Sequence, residues 1–326
     1  MYTKKYHSQD LSKYSFLITG GAGFIGSNIV EYLLKNKAKK VRVLDNFSNG
    51  HRANILEFMD NPSFELMEGD IRDLQTCKDA MEHMDYVSHQ AALGSVPRSI
   101  NDPGTTNDVN ITGFLNMMVA LKDSKTVKRM VYAASSSTYG DSKALPKLED
   151  NIGKPLSPYA VTKYVNELYA DVFGKTYNTD VIGLRYFNIF GPKQSPIGAY
   201  AAVIPLFMEA IQKNEGATIN GDGEQTRDFT FVENAVQANI KGFFASDDAA
   251  NQVFNIACGE RISVNYLWQH INEAAKKDIA ANFGPSRQGD VKDSLADISK
   301  AEHLMNYKPE FSVRDGLKVT WDNFIK

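Results

Sequence analysis

Only two cysteines, Cys77 and Cys258, occur in 326 residues. They have no metal-ligand spacing and cannot form a disulfide framework, so a reducing compartment is expected. Six histidines show no paired spacing either, and no metal is expected. Charge of one sign is also missing: 36 Lys and Arg stand against 39 Asp and Glu, a net charge of −3. Neither nucleic acid nor an anionic membrane is therefore expected as a partner. No apolar run approaches membrane-spanning length, and Met1 to Tyr14 lack the apolar core of a signal peptide. Repeats and low-complexity tracts are absent. These absences predict a cytoplasmic globular protein.

What is present is an alternation. Short apolar runs at 15–19, 41–45, 64–67, 85–89, 129–134, 181–187 and 253–256 read as strands. Helical stretches at 27–36, 105–123 and 158–176 stand between them. Strands separated by helices imply an α/β fold with a doubly wound parallel sheet. After about residue 190 turn-rich segments loosen the pattern, notably Gly191 to Gly198 and Asn220 to Gly223. The expected organisation is a dinucleotide-type Rossmann domain over 1–190, with a returning strand near 253–257. A smaller, interleaved α/β C-terminal lobe that binds substrate is expected over most of 191–326. Ligands bind at the carboxyl ends of such strands, where Asp45, Ala91, Ser135 and Asn188 should fall.

Thr19 to Gly26 reads TGGAGFIG between the first strand and a helix. Gly20, Gly23 and Gly26 permit a tight turn, close approach to a pyrophosphate and tight helix–sheet packing. Three glycines alone are weak evidence. Their position between strand and helix, with Asp45 ending the next strand, makes the motif specific. The Asp45 carboxylate can accept from an adenosine ribose and would repel a 2′-phosphate, which favours NAD over NADP. The bland reading of Asp45 is a turn residue before Asn46. Asp70 and Ile71, after Gly69, are candidates for contact with adenine, although Gly-Asp also makes an ordinary turn.

Ser135-Ser136-Ser137 follows the fifth strand, and Ser157-Pro158-Tyr159 opens the helix that carries Lys163. Serine suits the N-cap, and proline the first helical position, where a missing N–H costs nothing. Residues i and i+4 then share a face, so the phenol of Tyr159 and the ammonium of Lys163 lie side by side. Ammonium and helix dipole both favour phenolate, predicting a lowered tyrosine pKa and a general base for an alcohol. A hydroxyl at Ser135 can relay the proton. A serine run is more often a loop, and Tyr-x-x-x-Lys a solvated face. The ordered set of glycine turn, acid, serine and Tyr–Lys pair is harder to reach by chance.

The chain resembles the extended short-chain dehydrogenases/reductases, and within them the nucleotide-sugar 4-epimerases. Besides the motifs above, the resemblance rests on LRYFNIFGP at 184–192, GDGEQTRDF at 221–229 and RQGD at 287–290. It implies that Tyr159 is the base and that Lys163 binds the nicotinamide ribose. Ser135 would meet the sugar 4-OH. Phe24, Ile25, Asn46, Gly50, Ala91 and Asn110 would line the cofactor site. Asn188, Arg227, Arg287 and Asp290 would hold the UDP part of the substrate, with Ser95 and Val203 also on the substrate side. The outer faces of the helices at 105–123 and 158–176 could pair with a second copy, giving a homodimer through two helices per subunit, or pack within the chain.

Relatives that dehydrate or decarboxylate carry a glutamate where Ser137 stands. Neither Ser136 nor Ser137 supplies a carboxylate, so the resemblance implies 4-epimerisation through a transient 4-keto sugar. Glucose-restricted relatives tend to carry a bulky tyrosine at the position of Ser294. The small serine leaves room for a 2-acetamido group, and Gln194 and Ser136 are candidate contacts for its amide. The expectation is a UDP-N-acetylglucosamine (UDP-GlcNAc) 4-epimerase. Epimerisation of plain UDP-hexoses or of UDP-uronic acids stays open, and so does a non-catalytic NAD sensor on the same fold.

Overall fold

A computed structural model describes residues 1–195, 202–285 and 293–325. The chain begins with β1 (Ser15–Thr19), α1 (Phe24–Lys35), β2 (Lys40–Asp45), β3 (Phe64–Glu68), α2 (Leu74–Met81) and β4 (Tyr86–His89). There follow α3 (Val96–Asn101), α4 (Pro103–Asn107), α5 (Gly113–Asp123), β5 (Arg129–Ser135), α6 (Pro158–Tyr177) and β6 (Val181–Tyr186). A π-helical turn, Asp108–Thr112, joins α4 to α5, so the helix expected at 105–123 is nearly continuous but not regular.

Most of the later strands are shorter. The chain continues with β7 (Ile189–Phe190), α7 (Val203–Gln212), β8 (Thr218–Asn220), β9 (Thr226–Arg227), β10 (Thr230–Phe231) and α8 (Val232–Phe243). Next come β11 (Gln252–Ile256), β12 (Ile262–Ser263), α9 (Val264–Ala275) and β13 (Asn282–Gly284). The chain closes with α10 (Ser299–Met305) and α11 (Val313–Phe324).

Seven strands form one parallel sheet in the order β11-β6-β5-β4-β1-β2-β3. Successive side chains along the strands enter opposite faces of the sheet, and most are buried on either face. Phe16 and Ile18 enter the cluster that holds Ile29 and Leu33 of α1 and Val236 and Phe243 of α8. Leu17 points the other way, into the cluster of Phe114 and Met117 of α5 and Phe173 of α6. Both sheet faces are therefore covered, as an all-parallel sheet requires. A third cluster joins α7, α9 and α11 around Phe207, Leu267 and Trp321.

The chain winds outward in one direction from β1 through β3 and in the other from β4 through β6. The order reverses between β1 and β4, and a crevice opens there at the carboxyl ends. Gly20 follows β1, and Ala91 lies two residues beyond β4. The fold thus carries the glycine turn to the switch point. Helix α1 starts at Phe24, three residues before the expected Ser27, because Gly23 itself takes the cap position in extended backbone.

Candidate functional site

Gly20 adopts φ +67°, and a Cβ on it would stand 2.7 Å from the Ala91 nitrogen. One on Gly26 would stand 2.2 Å from the Gly20 carbonyl oxygen. Both close approaches demand glycine. No side chain caps α1, so its first N–H groups are left for another acceptor. Asp45, 7% exposed, receives the Ala22 N–H on Oδ2 at 2.9 Å and the Phe47 N–H on Oδ1 at 2.8 Å. Each oxygen keeps a second lone-pair direction. Asp45 is therefore a brace for the glycine turn as well as a candidate ribose acceptor.

A cavity of about 400 Å³ runs along this edge. Of the residues singled out from sequence, Gly20, Gly23, Phe24, Asp45, Asn46, Gly50, Asp70, Ile71 and Ala91 line it. Ser95 and Gln194 line it too, although both were assigned to substrate. The Arg72 guanidinium holds Asp70 down at a pKa of about 2, so Asp70 is anionic at neutral pH. Ile25 does not line the cavity and packs into the core instead. Asn110 is buried behind the cavity wall. Its Oδ1 accepts from Leu93 N at 2.8 Å, and its Nδ2 donates to Leu93 O at 3.2 Å and Thr162 Oγ1 at 3.1 Å. It acts on the site by fixing the Leu93 backbone. Sequence reasoning missed Asn49, Asn54 and Lys193, which line the cavity together with Arg98. The two asparagines sit in the polar stretch after Asp45, which offered a signal; Lys193 offered none.

The second group of residues converges at the end of β5. Ser157 Oγ accepts from Ala160 N at 3.2 Å, the expected N-cap of α6. Ser99 Oγ receives the Tyr159 N–H at 3.0 Å, tying α3 to the start of α6. Ser135 is the last residue of β5, and its Oγ accepts from Ser137 N at 3.2 Å and from Ser137 Oγ at 2.9 Å. Ser136 follows in the same turn.

The pKa directions correct one expectation. Burial raises the Tyr159 pKa above 10.0, and a hydrogen bond with Ser135 only partly opposes this. The neighbouring ammonium does not hold the phenol down, because Lys163 is turned away. Its Nζ donates to Ala133 O at 2.7 Å. Burial also lowers Lys163 to about 8, with Glu167 opposing. At neutral pH Lys163 therefore stays mostly charged while Tyr159 is a neutral phenol.

On the substrate side, Asn188 takes φ +38° and donates from Nδ2 to Asp228 O at 2.9 Å. Arg227 lies on β9 and donates to Thr226 O at 2.9 Å. Ser294 N also donates to Thr226 O, at 3.1 Å, which sets Ser294 against the Arg227 strand. Val203 opens α7. Gln194 Nε2 donates to Ile189 O at 3.2 Å, while its buried Oε1 has no partner among the described residues. Arg287 and Asp290 lie outside the described residues. Ser135, Ser136, Ser137, Asn188, Val203, Arg227 and Ser294 do not line the 400 Å³ cavity. Asp228 was missed altogether. It is fully buried and accepts from Cys258 N at 3.0 Å, Gly259 N at 3.1 Å and Ala296 N at 3.2 Å.

Residues 16–257 match the family model described as the NAD dependent epimerase/dehydratase family. The chain belongs to that family. Its cofactor is NAD, and the residues present fit it: a turn that a Cβ would block, an uncapped helix N-terminus and a carboxylate at the next strand end. The UDP-N-acetylglucosamine 4-epimerase of Methanobrevibacter ruminantium, solved with UDP-N-acetylmuramic acid, is 37% identical with a TM-score of 0.90. That match covers 96% of this chain and 98% of the other. The UDP-glucose 4-epimerase of Thermotoga maritima, solved with UDP-glucose, is 34% identical with a TM-score of 0.88, covering 95% and 98%. The UDP-glucuronic acid 4-epimerase of Bacillus cereus, solved with its UDP-sugar and NAD, is 31% identical with a TM-score of 0.87, covering 95% and 99%. Among the described residues, no group of His, Cys, Asp or Glu could hold a metal, and no helix is long and apolar enough to cross a membrane.

Proposed function

We propose that this protein is a UDP-sugar 4-epimerase that interconverts UDP-GlcNAc and UDP-GalNAc. The observation that carries the 4-epimerase reading is the convergence of Ser135, the last residue of β5, with Tyr159 at the start of α6 and buried Lys163 one turn on, bonded to Ala133 O of the same strand. Residues 1–190 with the returning strand hold NAD, and residues 191–326 mostly hold the UDP-sugar. Bound NAD supplies reversible hydride acceptance at C4 of the sugar. Ser135 receives the 4-OH as a hydrogen-bond donor and passes its proton to Tyr159. Lys163 lies one helical turn further along α6, where its charge, once redirected from Ala133, favours the phenolate. Asn188, Arg227, Arg287 and Asp290 keep the nucleotide tethered while the 4-keto sugar presents its other face. Tyr159 then returns the proton.

Two features support the N-acetyl preference. Ser294 places a small side chain beside the Arg227 strand. Gln194 holds a buried carbonyl, unpartnered among the described residues, that an amide N–H can satisfy. UDP-glucose or UDP-glucuronic acid is the alternative, supported by the similarity to enzymes that carry those names. The test is incubation with a panel of UDP-sugars without added cofactor, with C4 epimers read by NMR. Epimerisation of UDP-GlcNAc well above UDP-glucose supports the reading, and a marked preference for UDP-glucose overturns its N-acetyl part.

We also propose a cytoplasmic homodimer. The α6 residues Val161, Leu168 and Val172 are 46%, 49% and 52% exposed. Their spacing puts them on one helix face, where a second copy would cover them.

A further inference from the structure

The chemistry above does not use Lys193, which follows Pro192 with φ +71°. Its Nζ donates to Glu31 Oε2 at 3.1 Å, Asn54 O at 3.2 Å and Glu57 Oε1 at 3.5 Å. Three acceptors thus meet the three N–H groups of one ammonium. Glu31 stands on α1, and Asn54 and Glu57 in the segment that follows β2. Beside this contact Asn28, also on α1, donates from Nδ2 to Pro192 O at 3.2 Å. The side chains of Lys193 and Glu31 are only 19% and 13% exposed, so solvent screens this pair less than an ordinary surface bridge.

These bonds join two walls of one cavity. Lys193 and Gln194, from the segment after β7, line it together with Gly20, Gly23, Asp45 and Asn54 from the first part of the chain. Helix α1 presents its N-terminus to the cofactor phosphates, and Glu31 lies two turns further along the same helix. An enzyme that regenerates its dinucleotide at every turnover gains from keeping it bound.

We propose that Lys193 is a latch: a positioning residue that fixes the Gly191–Gln194 wall onto α1 and the segment after β2, and so slows release of NAD. The proposal rests on the epimerase reading for its purpose but not for its test, because NAD release is measured without turnover. Holoprotein is passed into nucleotide-free buffer, and the NAD remaining is assayed over time. Lys193→Met should release NAD about tenfold faster than the natural protein, equivalent to ~1.4 kcal/mol. Its activity should become dependent on added NAD and recover when NAD is supplied. Lys193→Arg, which keeps the charge, should hold NAD more firmly than Lys193→Met.

The double variant Glu31→Gln with Glu57→Gln removes the partners from the other wall, and gives the same test should Lys193→Met not fold. Faster release in either variant, with activity restored by NAD, supports the latch. Unchanged release in a folded variant overturns it, whether or not activity falls. Absence of epimerase activity in the natural protein would defeat the functional reading alone.

Discussion

Lys163 Nζ and the carbonyl of Ala133 are hydrogen-bonded at 2.7 Å, on the strand that ends in Ser135. The ammonium is buried, and its pKa falls from 10.5 to about 8. The unfolded chain therefore binds this proton more tightly than the folded one between about 8 and 10.5. Unfolding free energy rises with pH wherever the unfolded state holds more protons. The contribution of Lys163 should thus grow across that window, by an upper bound of about 3 kcal/mol. Urea unfolding of nucleotide-free protein checks this at about pH 7 and about pH 10. The natural protein should gain stability relative to Lys163→Met as pH rises; a pH-independent difference between the two contradicts the assignment.

Tyr159→Phe removes the proton acceptor but leaves the Ser99 contact, which uses the backbone N–H. The start of α6 should survive. Turnover should fall by about 10²–10⁴, the usual worth of a positioned acid–base group. NAD content and UDP-sugar affinity should stay near their original values, as read by absorbance and calorimetry. Loss of NAD together with activity would instead mark Tyr159 as a cofactor anchor.

One turn beyond Lys163, Glu167 accepts a fork from Arg185. Nε lies 2.9 Å from Oε1 and Nη2 lies 2.7 Å from Oε2. Both side chains are almost wholly buried, at 7% and 4% exposure. Removing one partner leaves an uncompensated charge between α6 and β6, at a typical cost of about 3–5 kcal/mol. Arg185→Met should lower the urea midpoint accordingly. Combining it with Glu167→Met should recover part of the loss, since the orphaned carboxylate is then gone. A double variant less stable by the sum of the single effects would show that the pair is not coupled.

The seven strands of the large sheet were legible from sequence because each is an apolar run bounded by turn residues, whereas the two- and three-residue strands of the later part were not. Residues 15–19 match β1, and the other strand ends agree within one residue. The Ser157-Pro158 start of α6 was legible for the same local reason. Contacts between distant segments were not. Asp228 reaches residues 258, 259 and 296, and Lys193 reaches 31, 54 and 57. No periodicity records such pairings. The Tyr159–Lys163 spacing placed both residues on one helix face, but not the Ala133 carbonyl that draws the ammonium aside. Helical spacing gives directions along one element, whereas a pKa depends on everything packed against it.

Asp228 carries the last prediction. Its carboxylate is buried, which raises its pKa to about 7 despite the backbone N–H groups that favour the charged form. It joins the end of the Arg227 strand to the turn after β11 and to Ala296, two residues past Ser294. Asp228→Ala would leave the N–H groups of Cys258, Gly259 and Ala296 without this acceptor. Each orphaned buried donor costs about 1–3 kcal/mol before water or backbone shifts relieve it. The variant should lose several kcal/mol in urea unfolding, and its folded fraction should bind UDP-sugar more weakly, because Arg227 and the Ser294 segment lose their common anchor. NAD binding should suffer less, since Asp228 touches none of the residues at the β1–β4 switch point. Calorimetry with UDP and with NAD on the same sample separates the two effects. Equal loss of both ligands would mean that Asp228 supports the whole molecule rather than the substrate side.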